Sequence, residues 1–415
     1  VIFSTAAAYL GWKVGQVFEA AIPIAIIAVG LSGALKKKNP LGQNVIIQSI
    51  GACSGVIVAG AIFTLPALYI LQAKYPDITV NFIEIFLSSL LGGVLGILFF
   101  IPFRKYFVKD MHGKYPFPEA TATTQVLASG LGKSQVGGNS QAKTLVIASL
   151  IGGIYDYLVA TFGWWAEVVT TTASGWGHAL AEKTKLVLSC NTGAALLGLG
   201  YIIGLKYAFV IFAGSIFVWW IIVPLMGTYG SSEIMAMDAG DIFSNYARMI
   251  GIGGIAMAGV IGIIRSWGII KSAVGLAAKE MGGKGNVEKN IIRTQRDLSM
   301  KIIAIGSIIT LILIVLFFYF DVMQGNLLHT LVAILLVAGI SFLFTTVAAN
   351  AIAIVGTNPV SGMTLMTLIL ASVVMVAVGL KGPSGMVAAL VMGGVVCTAL
   401  SMAGGFITDL KIGYW

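Results

Sequence analysis

Asp156 stands in Gly153-Ile154-Tyr155-Asp156-Tyr157, an acid flanked by two tyrosines well inside an apolar stretch. An ionisable group in such surroundings is costly and points to function by default. An aspartate there can take up and release a proton or hold an amine, with Tyr155 and Tyr157 able to donate to it. Glu84 and Glu119 are the next candidates for the same work. Each also has a plainer reading. Glu84 lies near the end of its apolar run, where a carboxylate reaches water, and Glu119 falls in the first turn of a short helix, where the macrodipole favours an anion regardless of function. Asp409 and Lys411 close the last apolar run and read as an ordinary interfacial pair, while Arg265 is close enough to the end of its run to snorkel.

Two segments could act through their backbone. Tyr115-Pro116-Phe117-Pro118-Glu119-Ala120-Thr121-Ala122-Thr123 puts prolines and an acid at the head of a short helix, over residues 116–128, that stops before Gly130. It is too short and too polar to cross a bilayer. A re-entrant or broken helix is tolerated at membrane depth only where protein or a water-filled cavity satisfies its backbone, so the segment is expected beside a pathway, with Tyr115, Pro116, Pro118, Glu119 and Thr121 lining it. A helix lying on the membrane surface is the alternative. Gly356-Thr357-Asn358-Pro359-Val360-Ser361-Gly362 interrupts an apolar region at Asn358 and Pro359. Such breaks expose carbonyl or amide groups that can hold a substrate or ion, although a tight turn between helices uses the same residues.

Enzyme signatures fail. Gly132-Lys133-Ser134 resembles the end of a phosphate-binding loop, but Leu127 stands where the first glycine is required. No HExxH occurs, His112, His178 and His329 are scattered, and Cys53, Cys190 and Cys397 lack the paired spacing of a zinc or redox site. No catalytic residue, cofactor or metal site is expected. Without an ATP site, solute movement must be driven by an ion gradient or by the solute's own gradient.

The elements that position these residues follow from composition. Of the chain's 415 residues 58% are hydrophobic and 10% charged, where a soluble domain carries roughly a quarter charged, so much of the surface must face lipid. The net charge of +9 is spread over short segments between apolar runs, which excludes a nucleic-acid footprint and leaves a topology signal. Runs long enough to span occur at about residues 16–34, 43–72, 80–103, 143–163, 185–204, 208–226, 247–270, 302–320, 328–350, 360–380 and 384–408. The expected fold is all-α, a polytopic transmembrane helix bundle with short re-entrant or broken helices.

Basic residues gather at 36–38, at 104–114, at 271–301 and at Lys411, and one crossing per run places all of them inside. The expected organisation is an N-terminal transmembrane half at 1–228, an extracytoplasmic connector at 229–248 and a C-terminal transmembrane half at 249–415. The stretch from Cys53 to Thr64 echoes that from Cys397 to Thr408, with Cys, Ala, Gly and Thr in register and opposite expected directions, which suggests an inverted repeat. Gly51 with Gly55, Gly92 with Gly96 and Gly200 with Gly204 have the spacing that lets membrane helices pack closely. Both ends of the sequence fall on helical pattern, so further helices are expected beyond them.

Several of these segments together resemble the oligopeptide transporter family, which includes the yellow stripe-like metal-chelate carriers. They are 114–122 with its Pro-Phe-Pro-Glu element, 44–68 ending Phe63-Thr64-Leu65-Pro66-Ala67-Leu68, Arg293-Thr294-Gln295-Arg296-Asp297-Leu298, 356–362, and Asp409-Leu410-Lys411-Ile412-Gly413-Tyr414. The Pro-Phe-Pro-Glu form is similar to the prokaryotic branch. The resemblance implies proton-coupled import of small peptides or peptide-like metal chelates, through about sixteen helices in two related halves, in a prokaryotic inner membrane. The expected partners are substrate, protons and the lipid bilayer, no nucleic acid is expected, and a homo-oligomer is compatible. A channel or an intramembrane enzyme is the alternative reading. If Asp156 couples proton entry, Asp156→Asn in proteoliposomes should abolish accumulation driven by a pH gradient while leaving substrate exchange intact.

Overall fold

The computed structural model describes residues 2–14, 17, 20–35, 40–129, 138–281, 298–356 and 360–415. In chain order its helices are α1 Ile2–Val14, α2 Ala21–Ala34, α3 Leu41–Ala61, α4 Pro66–Lys74, α5 Phe82–Phe100, α6 Pro118–Ser129, α7 Gly138–Phe162, α8 Gly175–Thr184, α9 Ala194–Ile203, α10 Leu205–Ile216, α11 Val223–Tyr229, α12 Ser232–Ala236, α13 Ala239–Ile242, α14 Arg248–Met281, α15 Met300–Phe317, α16 Leu327–Val355, α17 Val360–Ala377 and α18 Gly382–Tyr414. Strands β1 Val168–Thr170 and β2 Ser189–Asn191 pair antiparallel, with Val169 opposite Cys190. The chain is an all-α polytopic bundle. Among the described residues, 7 helical stretches are long and apolar enough to cross a membrane, and shorter apolar helices cover the runs at 16–34, 143–163 and 360–380.

The run at 185–204 is the exception. It holds β2, then a turn in which Asn191 Oδ1 accepts the Gly193 N–H at 2.8 Å, and only then α9. The 10 residues of α9 reach about 15 Å, half the hydrocarbon thickness. One crossing per run therefore does not hold there. The polar sequence Ser189-Cys190-Asn191-Thr192-Gly193 carries the turn chemistry that overrides the apolar average.

The described residues form two compact units, Val1–Gly130 with Ile255–Trp415, and Leu131–Gly254. In the first, α18 is the axis, packed by α5, α3, α16 and α17. Its small residues admit other backbones to contact. A Cβ on Gly92 would lie 2.4 Å from the Val395 oxygen and one on Gly96 2.1 Å from the Ala399 oxygen, so α5 and α18 run parallel along the Gly92/Gly96 stripe. Against α3 the course is antiparallel. A Cβ on Gly60 would meet Thr398 Cα at 2.3 Å, the Ser401 hydroxyl donates to the Val56 carbonyl at 2.6 Å, and Gln48 Nε2 donates to Asp409 Oδ1 at 3.0 Å. The echoing stretches 53–64 and 397–408 are thus direct antiparallel neighbours. Helix α3 breaks at its end, where Pro66 starts α4, and the buried Thr64 at the break faces Gly393 and Gly394 of α18.

In the second unit, Ser174 caps α8 through the Gly177 N–H at 3.3 Å, and Gly204, at φ +85, separates α9 from α10. Gly204 is a breaker, and among the described residues Gly200 has no neighbouring atom that a Cβ would meet, so the close packing that the spacing suggested is not seen there. Helix α13 continues through a π-helical turn into α14, so the second part of the 229–248 connector is helical.

Gly96→Ala should lower thermal stability in lipid by about 1–3 kcal/mol, the usual cost of overpacking. Gly339→Ala, whose Cβ would meet nothing within 4 Å, should leave the unfolding temperature nearly unchanged; equal losses in the two variants would contradict the contact of α5 with α18.

Candidate functional site

The start of α6 is built from a proline pair around a buried aromatic. Pro118 opens the helix, where its missing N–H costs nothing. Phe117 has φ +41, in the left-handed region that bulky residues rarely occupy. Two contacts hold it there. Its N–H donates to the Ala353 carbonyl at 3.0 Å, and its ring, 1% exposed, is buried in a cluster with Phe103, Phe107, Ala353 and Ile407. The Thr121 hydroxyl turns back onto the carbonyls of Pro116 at 3.0 Å and Phe117 at 2.9 Å and closes the turn. Tyr115 meets Phe117 edge to face. Burial, and then the neighbouring Tyr106, push its hydroxyl above the ordinary tyrosine pKa.

This helix packs against α2, α3, α16 and α18, so it lies among other helices instead of lying alone on a surface. Its first turn abuts the end of α16. Gly356 terminates α16 at φ +79, and a Cβ there would fall 2.4 Å from Pro118 Cγ and 3.3 Å from the Glu119 nitrogen. The Pro-Phe-Pro-Glu helix and the break after Gly356, remote in sequence, are therefore neighbours. Asn358 and Pro359 lie outside the described residues.

Thr346, Asn350 and Ala353 follow one another at helical spacing on one face of α16. Among the described residues, Thr346 Oγ1, Asn350 Oδ1 and, on α6, Thr123 Oγ1 are three of eight side-chain atoms buried without a hydrogen-bond partner, the others belonging to Asn44 and Ser54 on α3, Ser341 on α16 and Thr364 and Thr367 on α17. Each such atom costs about 1–3 kcal/mol. Stability alone favours Ala or Val at these positions; polar atoms kept at that cost suit contact with a polar solute or with water.

The charged residues at the end of α18 do not pair as their sequence suggested. Two positions along a helix turn the side chain by about 200°, so Asp409 and Lys411 point to opposite faces. Asp409 accepts from Gln48 on α3. Lys411 is fully buried; its Nζ donates to the Val108 carbonyl at 2.8 Å and lies 3.0 Å from His112 Nδ1. The rings of Phe117, Tyr414 and Trp415 surround that nitrogen at 5.1–5.2 Å. Beside Asp409, a cavity of about 270 Å³ is lined by Ser49, Cys53, Ile97, Met402 and Phe406. It is mostly apolar, with the carboxylate at one side.

Within the first unit, Glu84 and Glu119 stand near opposite ends of α5. Glu84 is in the first turn of α5, next to the Asn81 cap and within electrostatic range of Asp321. Glu119 lies beyond the opposite end of α5, where Phe100 shares a cluster with Phe117. Asp156 belongs to the other unit, and its Oδ1 accepts the Ala194 N–H at 3.0 Å, so it caps α9. The tyrosines beside it have other partners: the Tyr155 hydroxyl accepts from Trp165 Nε1 at 3.1 Å, and Tyr157 meets Phe162 edge to face. Asparagine keeps an accepting oxygen, so Asp156→Asn removes the charge and leaves the cap, which makes the uptake assay a test of charge alone.

Sequence reasoning passed over Phe117, Gly356, Thr346, Asn350, His112 and the separate roles of Asp409 and Lys411. The helical angle between 409 and 411 was the available signal for the last pair. Nothing in sequence links Gly356 to Pro118.

The model of the OPT oligopeptide transporter protein family matches residues 1–415. A Haemophilus influenzae protein that carries the provisional name oligopeptide transporter is 27% identical over 386 residues, which are 89% of this chain and 58% of that relative. The chain thus spans under two thirds of the relative's length.

Gly356→Ala should lower uptake to a small fraction of the parent value at equal membrane expression, because the added methyl collides with Pro118 and alanine resists the positive φ. Gly379→Ala is the control; it too has positive φ, at +97, but would meet no neighbour, and unaltered uptake in both variants would remove the α16 and α6 junction from the mechanism.

Proposed function

The chain belongs to the oligopeptide transporter family, and from that premise we propose that it works as a secondary active transporter importing small peptides or peptide-like metal chelates, with protons as the coupling ion. One observation carries the reading beyond the family name. Two helix interruptions, the start of α6 and the end of α16, abut inside a bundle of apolar helices, and each of these two helices carries, among the described residues, buried polar atoms without a hydrogen-bond partner. Broken helices in such a position are how transporters offer backbone groups to a solute at membrane depth.

The chain is an integral membrane protein, and we place it in the inner membrane of a prokaryote with the 104–114 and Lys411 end inside, in keeping with the side that basic segments favour. The antiparallel contact of stretches 53–64 and 397–408 supports the inverted repeat, since a two-fold between inverted copies brings equivalent helices together in opposite directions. The division into halves at 1–228 and 249–415, with 229–248 outside, belongs to the same proposal. Tyr115, Pro116, Pro118, Glu119, Thr121, Asn358 and Pro359 are the residues we assign to the pathway. Asp156, Tyr155 and Glu84 are assigned to proton handling.

Proteoliposomes offered di- to tetrapeptides and metal chelates, with and without an inward proton gradient, test the proposal. Saturable uptake that the gradient raises severalfold, and that a protonophore abolishes, is expected. Uptake indifferent to the gradient would remove proton coupling, and flux that never saturates would mark a channel.

A further inference from the structure

We propose that the cavity beside Asp409 binds an organic monoamine: a primary ammonium seated on the Asp409 carboxylate, carrying an apolar body that fills the space toward Met402. The proposal stands on the lining of the cavity and does not rest on the transport reading above.

Two helix faces build this cavity. On α18, Met402, Phe406 and Asp409 follow one another at helical spacing, and on α3 Ser49, Cys53 and Val56 do the same, so each set points one way. Ile97 of α5 adds to the wall. Gly405 and Val56 close the space between α18 and α3, where a Cβ on the glycine would lie 2.3 Å from Val56 Cγ2. Ile50, also in the lining, is 71% exposed, so a ligand enters without opening the fold. Asp409 lies about 8 Å along the axis from the end of α18 at Tyr414, and Met402 about 10 Å deeper. The carboxylate thus stands toward the end of the helix and the apolar lining runs inward from it.

A carboxylate withdrawn from water is costly unless a cation faces it. Asp409 has a hydrogen bond but, among the described residues, no cation: Gln48 Nε2 donates to its Oδ1 at 3.0 Å, and no Lys, Arg or His lines the cavity. The Ser49 hydroxyl donates to Gln48 Oε1 at 3.5 Å, which turns the amide so that its NH2 group meets the carboxylate. With one oxygen engaged by Gln48, the carboxylate suits a point-like ammonium better than the two-oxygen fork of a guanidinium. The Phe406 ring, one turn before Asp409, offers a face to the same cation. A hard metal ion is excluded by the lining, since calcium takes six or more oxygen ligands and this wall is mostly carbon.

The rest of the lining sets the remainder of the ligand. Ile97, Met402 and Phe406 ask for an apolar body, and no cationic side chain is there to meet a carboxylate or phosphate, so an amine that carries its own anion fits poorly. At about 270 Å³ the cavity is at the small end of ligand pockets, which run from about 300 to 1,000 Å³. An alkylamine or arylalkylamine of modest size meets all of these conditions.

Calorimetric titration of the full-length protein in phosphatidylcholine nanodiscs with 4-phenylbutylamine, less the heat taken up by empty nanodiscs, tests the assignment. Saturable binding at one site is expected. The alcohol 4-phenylbutanol, the same body without the charge, should bind about tenfold more weakly or worse. Asp409→Asn keeps an oxygen for Gln48 and loses the charge; it should weaken the amine about thirtyfold or more, the usual result of removing one partner of a buried charge pair, and leave the alcohol's affinity unchanged. Ile97→Trp, which fills the cavity and spares the carboxylate, should remove binding of both. Amine binding that never saturates, equal affinity of the parent for amine and alcohol, or an Asp409→Asn protein that binds the amine like the parent overturns the proposal, and the first two readings need no variant to fold. Leu-Leu and phosphatidylethanolamine, whose ammonium comes with an anion, should not displace the probe; displacement by either overturns the monoamine assignment. Peptide uptake followed in parallel keeps the two ideas apart. Amine binding without peptide uptake sinks only the transport reading, and uptake without amine binding sinks only this site.

Discussion

Backbone-to-backbone contact along α18 is the constraint around which the larger unit is arranged. Lipid tails are as apolar as leucine, so burying large side chains gives membrane helices little reason to associate, and close packing has to supply it. Gly60, Gly92 and Gly96 remove the side chains that would hold α3 and α5 away, and Thr398, Val395 and Ala399 meet bare backbone as a result. At that separation even a side-chain hydroxyl reaches across, as Ser401 does to the Val56 carbonyl.

The end near Lys411 is where the rules of stable packing are broken together. A phenylalanine sits at positive φ, and a glycine closes one helix against the proline that opens another. Strain and unsatisfied groups persist only where surrounding structure over-determines them, and they gather where function needs them. Here the over-determination is visible. Phe117 is held by its N–H bond to Ala353, by the two carbonyl contacts of Thr121 around it, and by the Lys411 cation over its ring.

Asp156 illustrates how a sound default can meet a local explanation. A carboxylate within apolar sequence has to find compensation, and the sequence offered tyrosines and protons. The fold offers the first N–H of a short helix, a partner 38 residues further along the chain. Capping accounts for the acid's presence without requiring that it titrate, and the charge-only substitution decides whether it does more.

What the sequence determined by itself was the solvent and the periodic structure. Low charge and long apolar runs dictate helices in lipid, and ten of the runs near the expected positions are helical because that pattern is local. The short helix after Pro118 was legible for the same reason, since proline at a helix start and an acid in its first turn act within one turn of chain. The run at 185–204 was misread because an apolar average hid a turn. Tertiary structure alone decided what meets what. Gly356 against Pro118, Gln48 against Asp409 and Lys411 beneath His112 join residues hundreds of positions apart, and nothing in a residue's own neighbourhood encodes its partner across such a distance. The contact of Gln48 with Asp409 is set by the register of α18 against α3, which depends on how closely the glycines let the backbones approach.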